Sequence, residues 1–170
     1  DPLDGTREFL DRNGEFTVNI SLIVNTRPVF GVVHLPVLDQ TYIGSEDLGA
    51  TQETGGAKAQ PIHVRDMSED GLTVIASRRH GDDSQILKLL KGQKVAYHKT
   101  AGSSLKFCRV ATGEADVYPR YGRTMEWDTA AGHAILNAAG VRVLTKDGNV
   151  LGYGKPDFEN PSFVAWGGRD

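Results

Sequence analysis

A single cysteine, Cys108, among 170 residues excludes any disulfide within the chain, and no Cys or His pair stands at zinc-ligand spacing, so a reducing cytoplasmic setting is expected. Long apolar runs are missing too. Nothing approaches the ~20 residues of a membrane-spanning helix, and the first residues do not read as a secretory leader. Excess charge of either sign is lacking: 19 Lys and Arg against 22 Asp and Glu leave a net charge of −3. That balance argues against a protein that coats a nucleic acid polymer or an anionic membrane, so an anionic ligand must be met by a local device. Repeats and low-complexity tracts are absent. What remains, 39% hydrophobic and 24% charged residues, is enough to build one ordinary globular core.

Val18, Ile20, Leu22 and Val24 alternate with mostly polar neighbours, which predicts a half-buried strand over Thr17 to Val24. Asn25-Thr26-Arg27-Pro28 is turn chemistry and Val29 to Leu35 a second strand, a hairpin joined by a short third strand near Tyr42-Ile43. Ser45 to Pro61 has no sustained period and reads as loop with at most one poor strand. Beyond it the rhythm becomes α/β: strand Leu72 to Ser77, helix Asp83 to Lys91, strand Lys94 to His98, helix Ser103 to Thr112, strand Ala115 to Tyr118. A last helix, Asp128 to Ala139, ends at Gly140, and Val141 to Leu144 and Phe163 to Trp166 finish a sheet. The expected division is 1–70 as the remainder of an N-terminal α+β half and 71–170 as a C-terminal α/β half.

Asp1-Pro2-Leu3-Asp4-Gly5-Thr6 carries the strongest local chemistry. Two carboxylates flank a φ-locked proline, and Gly5-Thr6 opens a short polar helix, Thr6 to Asp11, so side chains and backbone groups can aim at one point. Oxygen donors of this kind suit Mg²⁺ shared with a substrate phosphate, and a glycine at a helix start lets an anion approach the backbone. These six residues alone fit a capped turn equally well. Phosphatases that form an aspartyl-phosphate place the nucleophile two residues before a second Asp; Pro2 occupies the matching position here, so water is the expected nucleophile. The second motif is Trp127-Asp128-Thr129-Ala130-Ala131-Gly132-His133-Ala134, with Asp128 expected as the N-cap of an apolar helix. Alone it fits a plain capped core helix. Together, three carboxylates from two distant segments can hold two divalent ions on either side of a phosphoryl group, the arrangement of a phosphomonoesterase.

The two motifs, about 120 residues apart and in this order, resemble the inositol monophosphatase superfamily of magnesium-dependent, lithium-sensitive phosphatases. Arg12 to Ile20, Gly102-Ser103-Ser104-Leu105-Lys106-Phe107-Cys108 and Tyr118-Pro119-Arg120 make the resemblance closest to its bacterial CysQ branch of 3'(2'),5'-bisphosphate nucleotidases. The resemblance implies an α/β (α+β) layered sandwich, an antiparallel sheet followed by a smaller α/β half. It implies that Asp1 bridges two Mg²⁺ ions of two or three, that the Leu3 carbonyl, Asp4 and Asp128 complete the metal shells, and that Thr6 orients the attacking water. Asp4, Gly5, Thr6, Arg7 and Asp128 would contact the scissile phosphate and substrate. The family's upstream acidic segment, whose Glu binds metal, is absent, so the chain is expected to be a C-terminal fragment whose first sheet lacks its covering helices. A cytoplasmic location follows from the resemblance, which allows peripheral association at the inner membrane.

For the second phosphate of a nucleoside bisphosphate the candidates are Lys106, Arg120 and His80. Lys106 is expected one helical turn past Ser103, hydroxyl and ammonium on one face, and Arg120 at a strand end. On their own Lys106 reads as a solvated helix residue and Arg120 as a surface ion-pair partner. His133 is expected to be packed, Cys108 to be core, and His34, His63 and His98 lack any supporting cluster. The expected activity is removal of the 3'-phosphate of adenosine 3',5'-bisphosphate, with 3'-phosphoadenylyl sulfate as a further substrate. The alternatives are an inositol or sugar monophosphatase on the same scaffold, and a non-catalytic metal- or nucleotide-binding module.

Overall fold

The computed structural model describes residues 1–78, 86, 88–90 and 92–167. After a five-residue helix, α1 (Thr6–Leu10), the chain runs as an antiparallel meander of β1 (Val18–Val24), β2 (Arg27–Leu35), β3 (Gln40–Ser45), β4 (Gly49–Thr54) and β5 (Gln60–Pro61). The well-paired β4 falls in the stretch that sequence alone read as loop with at most one poor strand. Its Gly-Ala-Thr-Gln-Glu-Thr text has no hydrophobic alternation, and it is recruited by register with β3, Gln40 opposite Thr54 through Ser45 opposite Gly49.

The second sheet is formed by β6 (Leu72–Ala76), β7 (Val95–Thr100), β8 (Val117–Arg120), β9 (Arg142–Thr145) and β10 (Phe163–Trp166), in the order β7-β6-β8-β10-β9. Its β6 lies parallel to both neighbours, and the β8-β10-β9 edge is antiparallel. Between the sheets lie α2 (Leu105–Ala111) and α3 (Glu126–Ala138). Of the helix expected at Asp83 to Lys91, only 86 and 88–90 are described: Ile86 and Leu90 are buried, and the Leu90 N–H donates to the Ile86 carbonyl at 3.0 Å, a helical bond. Among the described residues no helix is long and apolar enough to cross a membrane.

Helix α3 packs on the first sheet at very short range because two strand positions are glycine. A Cβ on Gly31 would stand 2.3 Å from the Ala131 carbonyl, and one on Gly44 would stand 2.4 Å from the Ile135 Cα. Gly132 performs the same service toward α2, where a Cβ would meet the Phe107 ring at 2.5 Å. Phe107 stacks on Phe163 and meets Tyr118 edge-on, with centroids 5.8 and 5.1 Å apart, in a core that joins the inner sides of both sheets. Cys108 is fully buried there, as expected.

The faces of β1 are the reverse of those its alternation implied. Ile20 and Leu22 are 61% and 55% exposed, whereas the polar Asn19 between them is buried. On the inner side Asn19 is held by the acidic motif, its Nδ2 donating to Asp4 Oδ2 at 3.2 Å and its backbone pairing with Asp1.

Candidate active site

The acidic motif is attached to the strand that follows it. Asp4 and Thr17 exchange backbone hydrogen bonds at 2.9 Å each, and Asp1 and Asn19 do so at 2.8 and 2.9 Å. Three steps of chain from Asp1 to Asp4 thus lie opposite two steps from Asn19 to Thr17, a one-residue bulge, and this turns carboxylates at i and i+3 to the same face. Leu3 sits between them, its N–H donating to Asp1 Oδ1 at 3.0 Å. Gly5, at φ 88°, then swings the chain into α1, a left-handed conformation that glycine adopts without strain.

Asp128 reaches the same place from α3. It is the third residue of the helix rather than the N-cap, because Glu126 and Trp127 already have helical backbone; from there its Oδ2 accepts the Met125 N–H at 2.8 Å and satisfies one of the donors left open at the helix start. One oxygen from each of Asp1, Asp4 and Asp128 lies within 4.8 Å of the others. Burial raises the Asp128 pKa above the ordinary carboxylate value and the Asp4 charge adds to the rise, opposed by the Met125 N–H and by Arg120. Three half-buried carboxylates with one oxygen each tied by N–H or O–H donors, and no cationic side chain bonded to any of them among the described residues, form a donor set that fits a hard divalent cation.

A cleft of about 250 Å³ opens beside this cluster. Asp4, Gly5, Thr6, Arg7, Ser103, Lys106, Arg120 and Asp128 all line it, so eight of the expected site residues, scattered over more than 120 positions, share one cavity. Asp1 faces a second cavity of about 240 Å³ on the other side of the cluster, bordered by Trp127 and Phe158. His80 lies outside the described residues.

Two expectations about the cationic wall change. Ser103 does not share a helical face with Lys106: α2 begins only at Leu105, and Ser103 stands before it in a left-handed turn at φ 41°, its hydroxyl donating to the Glu15 carbonyl. Nor is Lys106 solvated. It is 4% exposed, and its ammonium donates to the carbonyls of Ser103 (2.7 Å) and Ala101 (3.2 Å) and lies 5.4 Å from the centre of the Tyr118 ring. Burial lowers its pKa to about 8, against the opposing pull of Asp4. Arg120 leaves the end of β8 and donates from Nη1 to Ser77 Oγ at 2.7 Å and from Nη2 to the Arg123 carbonyl at 3.1 Å; its Nε is buried without a partner among the described residues. His133 is fully buried with Nδ1 3.0 Å from the Tyr153 hydroxyl, a packed histidine as expected.

Sequence reasoning missed the residues that hold the motif in place. Asp4 Oδ2 accepts from Ser104 N and Oγ (2.7 Å each), Asn19 Nδ2 (3.2 Å) and Thr17 Oγ1 (3.3 Å). Glu15 takes both Nη atoms of Arg78 at 2.6 Å and the Gly102 N–H at 2.7 Å, joining segments more than 60 residues apart. For Thr17 and Asn19 a signal existed, polar residues at every second strand position; for Ser104 and Glu15 nothing local marks the contact.

The profile of the inositol monophosphatase family matches residues 1–167, and the chain belongs to that family. It is 49% identical over 166 residues to the 3'(2'),5'-bisphosphate nucleotidase CysQ of Salmonella typhimurium and 47% identical to that of Escherichia coli K12, in each case over 96% of this chain and 65% of the relative. The crystal structure of CysQ from Bacteroides thetaiotaomicron superposes with a TM-score of 0.89 at 42% identity, covering 100% of this chain and 69% of the other. The chain therefore spans just under two thirds of the length of the two curated relatives.

Proposed function

We propose that the intact protein is a magnesium-dependent phosphatase that removes the 3'-phosphate of adenosine 3',5'-bisphosphate to give AMP and phosphate, and acts likewise on 3'-phosphoadenylyl sulfate. The observation that carries this reading is the convergence of Asp1, Asp4 and Asp128 beside a cleft that Lys106 and Arg120 also line. The names of the curated relatives that match 96% of the chain supply the substrate class.

In this reading Asp1, Asp4, Asp128 and the Leu3 carbonyl would hold two or three Mg²⁺ ions. Bound there, the ions supply the positive charge that makes water nucleophilic near neutral pH and stabilises the leaving oxygen. The chain does the rest. Thr6 orients the attacking water, and Gly5, Thr6 and Arg7 line the scissile phosphate at the start of α1. Water adds to phosphorus in line, the bond to the 3'-oxygen breaks, and that oxygen takes up a proton and departs as the hydroxyl. Lys106 has two of its three donors spent on carbonyls, so one proton and the full charge remain for the second phosphate. Arg120 keeps one N–H on each Nη beyond those given to Ser77 and the Arg123 carbonyl, and the Ser103 hydroxyl, with its proton given to Glu15, can act only as an acceptor. His80 belongs to the same wall by resemblance. Residues 1–70 supply the metal motif and 71–170 the cations and Asp128, which sets the site at the junction of the two halves.

The test is phosphate release by the intact protein with Mg²⁺, from adenosine 3',5'-bisphosphate and from inositol 1-phosphate side by side. Preference for the nucleotide is expected. Preference for the inositol ester would transfer the substrate assignment to the inositol phosphatase alternative while leaving the metal chemistry in place.

A further inference from the structure

The four donors on Asp4 Oδ2 are unequal. The two from Ser104 are the short ones at 2.7 Å, in the range of charge-assisted bonds, and those from Asn19 and Thr17 are at 3.2 and 3.3 Å. Ser104 is 1% exposed, so no bulk water stands by to replace its hydroxyl. The hydroxyl oxygen accepts from Asn19 Nδ2 at 2.7 Å and also lies 2.9 Å from the backbone carbonyl of Asp128. It has one proton, and a carboxylate is a stronger acceptor than a carbonyl, so the proton goes to Asp4. The turn that delivers Ser104 is fixed from outside: Glu15 accepts the Gly102 N–H, and its backbone carbonyl accepts the hydroxyl of Ser103, whose left-handed φ makes the Ser104 N–H point inward.

We propose that Ser104 is a positioning residue of the metal centre. It saturates one oxygen of Asp4 so that only the other faces the cation, and through the Asn19 amide that its oxygen accepts it ties Asp4 to β1. This rests on the metal-site reading above, and the experiment separates the two. Mg²⁺ and Mn²⁺ are titrated calorimetrically into the intact protein and its Ser104→Ala and Asp4→Asn variants, alongside the metal dependence of phosphate release.

Outer hydrogen-bond partners of metal ligands typically cost ten- to a hundredfold in metal affinity, and Ser104→Ala keeps the backbone donor, so about a tenfold weaker metal Kd is expected. At saturating metal its substrate KM should stay at the wild-type value and most of kcat should return, which a general packing defect would not allow. Ser104→Cys, which keeps the shape with a weaker donor, should fall between and serves as the variant of record if Ser104→Ala does not fold. A metal Kd within about twofold of wild type in the serine variant, with binding lost in Asp4→Asn, overturns the proposal. Unchanged binding in Asp4→Asn overturns the metal site itself.

Discussion

The carboxylate end of the cleft and its cationic wall are held by opposite means. Asp1, Asp4 and Asp128 each have an oxygen tied by donors from the chain, so their geometry exists before anything binds. Lys106 instead spends two of its three donors on carbonyls and Arg120 two of its five on Ser77 and the Arg123 carbonyl, and each offers only what is left over. A preorganised oxygen cage favours a cation at no cost in rearrangement, whereas a half-spent cationic wall gives a modest, tunable preference among phosphate esters. In the proposed reading the carboxylates serve the chemistry and the cations the substrate choice.

The largest effect should come from the cage. Asp128→Asn keeps an acceptor for the Met125 N–H but loses the charge, and kcat should fall on the order of a thousandfold for every substrate, what several kcal/mol of lost transition-state stabilisation amount to. An effect confined to the bisphosphate would erase the division between the two ends. Next is Lys106→Ala, which should lower kcat/KM for the bisphosphate by about ten- to a hundredfold, the worth of one hydrogen bond to a charged group, and lower it less for a simple phosphate monoester. Equal losses on both would remove Lys106 from the recognition of the second phosphate.

The pH dependence sharpens the same point. With the Lys106 pKa lowered to about 8 by burial, its charge is present below that pH and fades above it, so KM for the bisphosphate should rise as pH climbs through about 8, and Lys106→Ala should flatten the profile. Stability moves the other way. Between about 8 and the unfolded value of 10.5 the unfolded chain binds more protons than the folded one, so this group adds stability as pH rises across that window. The smallest effect is expected from Glu15→Ala, which removes the acceptor of the Gly102 N–H and of Arg78 but keeps the backbone carbonyl that holds Ser103 and does not touch Asp4. Metal half-saturation measured by calorimetry should weaken, but by less than in Ser104→Ala; a larger shift would make the turn, rather than the serine hydroxyl, the principal support.

Much of this was legible in the amino-acid sequence, for identifiable reasons. The two acidic motifs announce themselves through the residue types that a turn and a helix start require, and β10 at Phe163–Trp166 is where its β-branched and aromatic run places it. Strand β4 was not legible, since pairing with β3 rather than its own pattern makes it a strand. The inversion of β1 was hidden for a related reason. Alternation tells which residues share a face, and only the close approach of α3 at Gly31 and Gly44 tells which face is inside. Ser104 and Glu15 act across 63 to 100 positions of chain, beyond the reach of any local period.

Anomalous diffraction from crystals of the intact protein grown with Mn²⁺ addresses the oxygen cage directly. The account predicts a peak at about 2.0–2.3 Å from carboxylate oxygens of Asp1, Asp4 and Asp128, beside the cleft that Lys106 lines. A well-ordered cage with no peak, or with manganese bound only elsewhere, would contradict it.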